Sequence, residues 1–590
     1  MVNPAPIRAE VAMAFRLVAM LVVMLAGAGF IPPSQAGPPK DGVQPRLIVL
    51  ISIDQFSADL FNGYRDQFRG GLKTLAHGIV YANAFHTHGI TETCAGHAVI
   101  ATGRHPNATG IVANQWFDQK DSVDRYCTDD GVHVAARTIR KSGTGPGLLE
   151  VATLGDWLKA ASPASRVYSV AGKDRSAIMM GGHQPDGAFW FDGKQGFDSW
   201  GTSVEAARQR LRSLEKVNEA VFRRIAGREI RWLYHRKACR TLEASFPLDG
   251  GGVFHAHLPP DPPAPVSGRP EASGPALPPW FYDSVTIDAA LSLIETERLG
   301  RASATDLLAV GLSGTDMVGH AYGTQGPEMC DHLVRLDEGI GRLLRRLEAL
   351  RIPVAVAVTA DHGGSDIPER LKRRGYTGAG RIDAADLLGT LNVAVRGAVG
   401  VDWNTLKPAF FDPTQLVIVD AGGKALGDAA LKQRIADAAA QYALDHPGIA
   451  GAWTGKQLQG RKPDPRFLPD QLSFADRMAL SFYAQRSGDV LLATDPLKVP
   501  APPFPGLFMT GHSGPSDFNR RVPILLWRPG IAHQERALPI SVVDLAPTLA
   551  ALAGVSPSGD VDGRCIDIAE FGVRCTPQRE TVAAGEGDGR

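Results

Sequence analysis

Three stretches of this chain constrain its fold more than any others: Arg46–Ile53, Asp306–Leu312 and Pro353–Thr359. Each is a short apolar run with no alternation of polar and apolar residues. Such runs predict strands buried on both faces, and burial on both faces is the mark of a parallel sheet covered by helices. Ile79–Phe85, Arg166–Val170 and Val522–Trp527 read as further strands. Helical patterns lie at Leu149–Ala161, 205–225, Asp288–Leu299, Asp331–Leu350 and Ser541–Gly554. The predicted fold class is α/β, with a mostly parallel central sheet flanked by helices and with cap insertions.

Open parallel sheets place their sites at the carboxyl ends of strands. The three diagnostic runs all end in acids. Asp54 follows the first directly. The loop Ser313-Gly-Thr-Asp-Met-Val-Gly-His-Ala-Tyr-Gly323 follows the second, with Asp316 and His320 four apart on one helical face. Asp361-His362-Gly363-Gly364 follows the third, and its glycines permit the sharp turn that lets adjacent side chains converge. The late loop Thr510–Gly514 adds His512. A set of nitrogen and oxygen ligands without thiolates suits zinc, with manganese or cobalt as alternatives. The count fits two ions. One would take Asp316, His320 and His512; the other would take Asp54, Asp361, His362 and the oxygen of Thr93. Two metals about 4 Å apart clamp both ends of an in-line phosphoryl transfer.

Thr93 lies in Thr91-Glu92-Thr93-Cys94-Ala95-Gly96-His97-Ala98, between a strand and a helix read at Ala98–Ala101. On local sequence alone it is a helix cap. The same position faces free backbone N–H groups that can hold a phosphoryl group. A threonine hydroxyl is scarcely ionised at neutral pH, so nucleophilic attack requires a neighbour that lowers its pKa, and a metal ion does so. Lys173 and Arg175 follow the strand Arg166–Val170 and suit phosphate oxygens, the lysine as a point charge and the arginine as a fork.

The order of motifs resembles the alkaline phosphatase superfamily: Asp after the first strand, Thr-x-x-Gly-His-Ala, Asp-x-x-x-His, Asp-His-Gly and a late Gly-His. Within it, the chain is similar to the type I phosphodiesterase/nucleotide pyrophosphatase branch and its bacterial threonine-nucleophile alkaline phosphatases, from about Arg46 to Gly554. The resemblance implies an alkaline phosphatase-like catalytic domain, Thr93 as a nucleophile that forms a covalent phosphothreonine, and two zinc ions. Asn114-Gln-Trp-Phe-Asp118 and Lys173-Asp-Arg175 match the phosphatase subgroup, which implies that Asn114, Lys173 and Arg175 bind the terminal phosphate. A monoester dianion rewards two cations, so phosphate monoesters are the expected substrates; a phosphodiesterase or nucleotide pyrophosphatase is the alternative. Cys94 raises a sulfatase reading, but the Cys/Ser-x-Pro-x-Arg pattern is absent.

Lys+Arg and Asp+Glu balance at 62 each, so no global field points to nucleic acid or an anionic membrane as a partner. The expected partners are small phosphate esters, with a monomer favoured. Residues 1–36 read as a signal peptide, with Arg8 and Arg16 before an apolar run and Ser34 and Ala36 at the cleavage site. Periplasmic or secreted localisation follows, with 37–590 as the catalytic domain and insertions at about 200–285 and 366–505. The six cysteines permit three disulfides. Cys565 with Cys575 closes a short loop; Cys94–Cys127 and Cys239–Cys330 are further possible pairs.

Overall fold

The computed structural model describes residues 44–575, apart from 139, 227–228, 250, 264–276 and 410–411. The expected signal peptide lies outside the described residues. Among them, no helix is long and apolar enough to cross a membrane.

An 11-stranded sheet organises the chain. Its main strands are β1 (Leu47–Ile53), β2 (Ile79–Phe85), β3 (Val167–Ala171), β4 (Gly187–Phe191), β5 (Phe197–Gly201), β6 (Asp306–Leu312), β7 (Val354–Thr359) and β8 (Arg521–Trp527). They lie in the order β2-β8-β7-β1-β6-β3-β4-β5. From β7 to β4 the neighbours are parallel. β8 runs antiparallel to both β7 and β2, and β5 antiparallel to β4. Every residue of β1, β6 and β7 is buried, which matches their unbroken apolar sequences.

The register aligns the strand ends. Ile53 pairs with Leu312, Ser52 with Thr359, and Gly311 with Ala171. Continued beyond the last pairs, it sets Asp54 beside Asp361 and Ser313, and Ser313 beside Lys173. Four loops thus leave one edge of the sheet together. Five helices matter for the site: α1 (Thr93–Thr102), α2 (Asp174–Gly181), α3 (Pro279–Thr296), α4 (Gly314–Tyr322) and α5 (Pro327–Ala349).

Several boundaries differ from the sequence reading. The segment 205–225 is two helices, Val204–Leu211 and Glu215–Ile225, joined by a 3₁₀ turn. The helix expected from Leu149 starts at Leu154, where Thr153 and Asp156 form a capping box. Residues from 384 to 494 build a separate antiparallel sheet, with Ala384–Val399 and Ala429–Leu444 sharing its apolar core. This part reaches the central sheet's loops through Ser481, whose hydroxyl accepts the N–H groups of Gly89 and Ile90. All three expected disulfides form.

Glu328, in the first turn of α5, is fully buried. Burial pushes its carboxyl up to about 8, against opposing backbone N–H groups and Arg370. The folded chain therefore holds a proton that the unfolded chain releases near the ordinary glutamate value. Stability from this group is fully present at low pH and falls as pH rises from about 4.5 to about 8, by up to about 1.4 kcal/mol per unit. Glu328→Gln is expected to unfold at higher denaturant than the parent at pH 8.5, with the difference shrinking or reversing at pH 5. Parallel urea titrations at the two pH values check this.

Candidate active site

The edge where β7, β1, β6 and β3 end collects the predicted residues. Asp316, His320 and His512 form one group, and Asp54, Asp361 and His362 a second; in each, the potential ligand atoms all lie within 4.8 Å of one another. His320 Nε2 and His512 Nε2 stand 3.3 and 3.4 Å from Asp316 Oδ1. His362 Nε2 stands 3.4 Å from both Asp54 Oδ1 and Asp361 Oδ2. These spacings match the edges of a tetrahedron with bonds of about 2.0–2.1 Å, the length of zinc–nitrogen and zinc–oxygen bonds.

The histidines are oriented for the task. His320 Nδ1 donates to Thr510 O at 2.9 Å, His512 Nδ1 to Thr91 O at 2.7 Å, and His362 Nδ1 to Gly363 O at 2.9 Å. A carbonyl only accepts, so each Nδ1 carries the proton and each Nε2 presents its lone pair to the group. Asp54 Oδ1, Asp316 Oδ1, Asp361 Oδ2 and His362 Nε2 are buried without hydrogen-bond partners among the described residues. Buried polar atoms of this kind require a partner, and cations supply one for all four.

The electrostatics point the same way. Burial pushes the Asp54 carboxyl well above the ordinary carboxylate range, and repulsion from Asp316 and Asp361 adds to it. Burial acts on Asp316 too, but Lys173 and His320 outweigh it and hold that carboxyl well below its usual value. Against burial, His362 and His97 hold Asp361 low. Burial depresses His362 and His512, which keeps their rings neutral.

Lys173 is placed differently from a simple phosphate contact. Its ammonium donates to Asp54 Oδ2 and Asp316 Oδ2, each at 2.6 Å, and so bridges the two groups. These carboxylates raise its pKa against the effect of burial. Arg175 reaches the nucleophile candidate, with Nη2 3.4 Å from Thr93 Oγ1. Its Nη1 donates to Tyr126 Oη at 3.1 Å, and Tyr126 donates to Asp174 Oδ1 at 2.7 Å. Asp174 also pairs with Arg140 at 3.0 Å.

Thr93 is not the helix cap. α1 begins at Thr93 itself, and the extended cap residue is Glu92, whose side chain makes no capping bond. The small residues before Ala98 hide this start, since they carry little apolar periodicity. α1 lies tight against the end of β7: a Cβ on Gly96 would sit 2.1 Å from Asp361 O. His97 Nδ1 bonds Thr93 O at 2.8 Å and lies 3.2 Å from Asp361 Oδ2. Asn114 Oδ1 accepts the Cys94 N–H at 2.9 Å, so its NH₂ is the end left to donate. Sequence reasoning missed Glu92, Tyr126 and Ser513, because nothing in their local spacing marks them.

Residues 48–496 match the family model of type I phosphodiesterase / nucleotide pyrophosphatase. The chain belongs to this family. Within the family's reach, it is 36% identical over 538 residues to alkaline phosphatase PhoD of Zymomonas mobilis, covering 89% of this chain and 88% of that one. It is 36% identical over 542 residues to alkaline phosphatase PhoK of a Sphingomonas species, covering 89% and 91%. The fold matches the crystal structure of wild-type alkaline phosphatase PafA with a TM-score of 0.74 at 24% identity, over 89% of this chain and 98% of that one.

The packing of Gly96 gives a direct check. Gly96→Ala forces α1 away from Asp361 and is expected to cost about 1–3 kcal/mol of stability, as overpacking does. Denaturant unfolding measures that loss, and divalent-cation affinity should fall with it because Asp361 is displaced.

Proposed function

We propose that the chain is an alkaline phosphatase that hydrolyses phosphate monoesters through a phosphothreonine at Thr93. The observation that carries this is the meeting of Arg175 with the Thr93 hydroxyl beside two nitrogen–oxygen ligand groups. Asp316, His320 and His512 would hold one zinc ion, and Asp54, Asp361 and His362 with Thr93 Oγ the other. When bound, the cations lower the pKa of the attacking hydroxyl and neutralise the departing oxygen. Thr93 attacks phosphorus in line, the ester bond to the leaving alcohol breaks, and water then cleaves the phosphothreonine to release phosphate. Arg175 and the Asn114 NH₂ orient the non-bridging oxygens, and Lys173 supplies positive charge between the two groups. The insertions at about 200–285 and 366–505 would cap this edge. Three disulfides support export to an oxidising compartment, periplasmic or extracellular.

Purified protein loaded with zinc is expected to turn over an aryl phosphate monoester faster than a bis-aryl diester. A preference for the diester would instead support a phosphodiesterase. Thr93→Ala should lower kcat by about 10⁴–10⁶, the scale for loss of a nucleophile, while still binding zinc. Joint replacement of Lys173 and Arg175 by Ala should cost about 10²-fold more on the monoester than on the diester, since the dianion carries the extra charge. Equal losses would remove the two cations from substrate selection.

A further inference from the structure

Glu92 stands between Thr91 and Thr93, with an extended backbone, and is 8% exposed. Its carboxylate leaves its own helix unserved and reaches two other segments. Oε2 accepts the backbone N–H of Asn114 at 2.7 Å, and Oε1 accepts the Ser513 hydroxyl at 2.8 Å. Those partners are 22 and 421 positions away in the chain.

Each contact sits one step from a predicted site residue. At the first, the backbone of Asn114 is held by Glu92 while its side-chain oxygen is held by Cys94 N–H, so the direction of its NH₂ is set from both ends. At the second, Ser513 follows His512 and has a φ of +91°, an unfavourable value for a residue with a side chain. The loop nevertheless stays in register. His512 Nδ1 donates to Thr91 O, and the Thr91 hydroxyl donates to Gly514 O at 3.1 Å while accepting Gly514 N–H at 3.2 Å. Glu92 therefore closes a set of bonds that ties the nucleophile, the amide donor and one ligand histidine into a single unit.

We propose that Glu92 is a positioning residue that sets the Asn114 amide and the His512 loop relative to Thr93, and so controls phosphate binding through groups it does not itself present to phosphate. The inference rests on the roles given above to Asn114 and His512. It is tested without turnover, by calorimetric titration of inorganic phosphate into the zinc-loaded protein in a double-mutant cycle. Glu92→Ala is expected to weaken phosphate binding about tenfold when Asn114 is present, but less than about twofold in an Asn114→Ala background, because coupled neighbours are not additive. Equal weakening in both backgrounds, or none in either, overturns the proposal. Glu92→Gln, which keeps one acceptor oxygen, should fall between the parent and Glu92→Ala; a loss as large as that of Glu92→Ala counts against it.

Ser513→Ala removes only the second arm and spares the buried carboxylate, so it stands in if Glu92→Ala fails to fold. It should release one equivalent of zinc at a lower chelator concentration than the parent, and an unchanged release profile overturns the His512 arm. A wrong assignment of the reaction would show in the parent's substrate preference, whereas a wrong assignment of Glu92 shows only in these binding measurements.

Discussion

Asp361, Asp54 and Asp316 emerge from three adjacent parallel strands and are forced into mutual repulsion by the register of the sheet. Buried carboxylates so close together need compensating charge. Lys173 supplies part of it from the next strand and His320 another part, whereas burial disfavours the charged rings of His362 and His512. What is left over is a demand for cations, met at two points whose donor atoms already have tetrahedral spacing. The remaining parts of the site are arranged around this excess of negative charge: the helix N-terminus of α1, the guanidinium of Arg175 and the amide of Asn114 all bring positive potential to its edge.

The rigidity of the arrangement comes from backbone carbonyls. Thr510, Thr91 and Gly363 each fix the inner nitrogen of one histidine. Because Thr91 precedes Thr93 by two residues, the same segment that presents the Thr93 hydroxyl also orients His512. Chemistry and cation binding are thus built on shared backbone, and a small shift in one is felt by the other.

Much of this was legible in the sequence. Asp54, Asp316 and Asp361 stood out because each closes an unbroken apolar run, and His320 because its spacing from Asp316 fits one helical face. The direction of β8 was not legible, since an apolar run does not say which way its neighbour points. The helix Ala384–Val399 was missed because Gly389 and Gly397 interrupt its propensity and tertiary packing overrides them. α3 was read nine residues short because a proline-rich approach conceals its start, where Pro279 takes the first helical position. Glu92 was invisible for a stronger reason: its meaning lies in a contact with Ser513, across most of the chain.

Cys94 adjoins Thr93, and its disulfide partner Cys127 donates its backbone N–H to Asn114 O at 2.9 Å. The covalent loop spans a separation of 33 residues, and closing a loop of that size restrains the unfolded chain by about 3–4 kcal/mol. Asn114 lies on this loop and Thr93 adjoins it. Thiol oxidation is thereby written into the assembly of the reaction centre: a chain still reduced lacks that restraint where the geometry is most demanding.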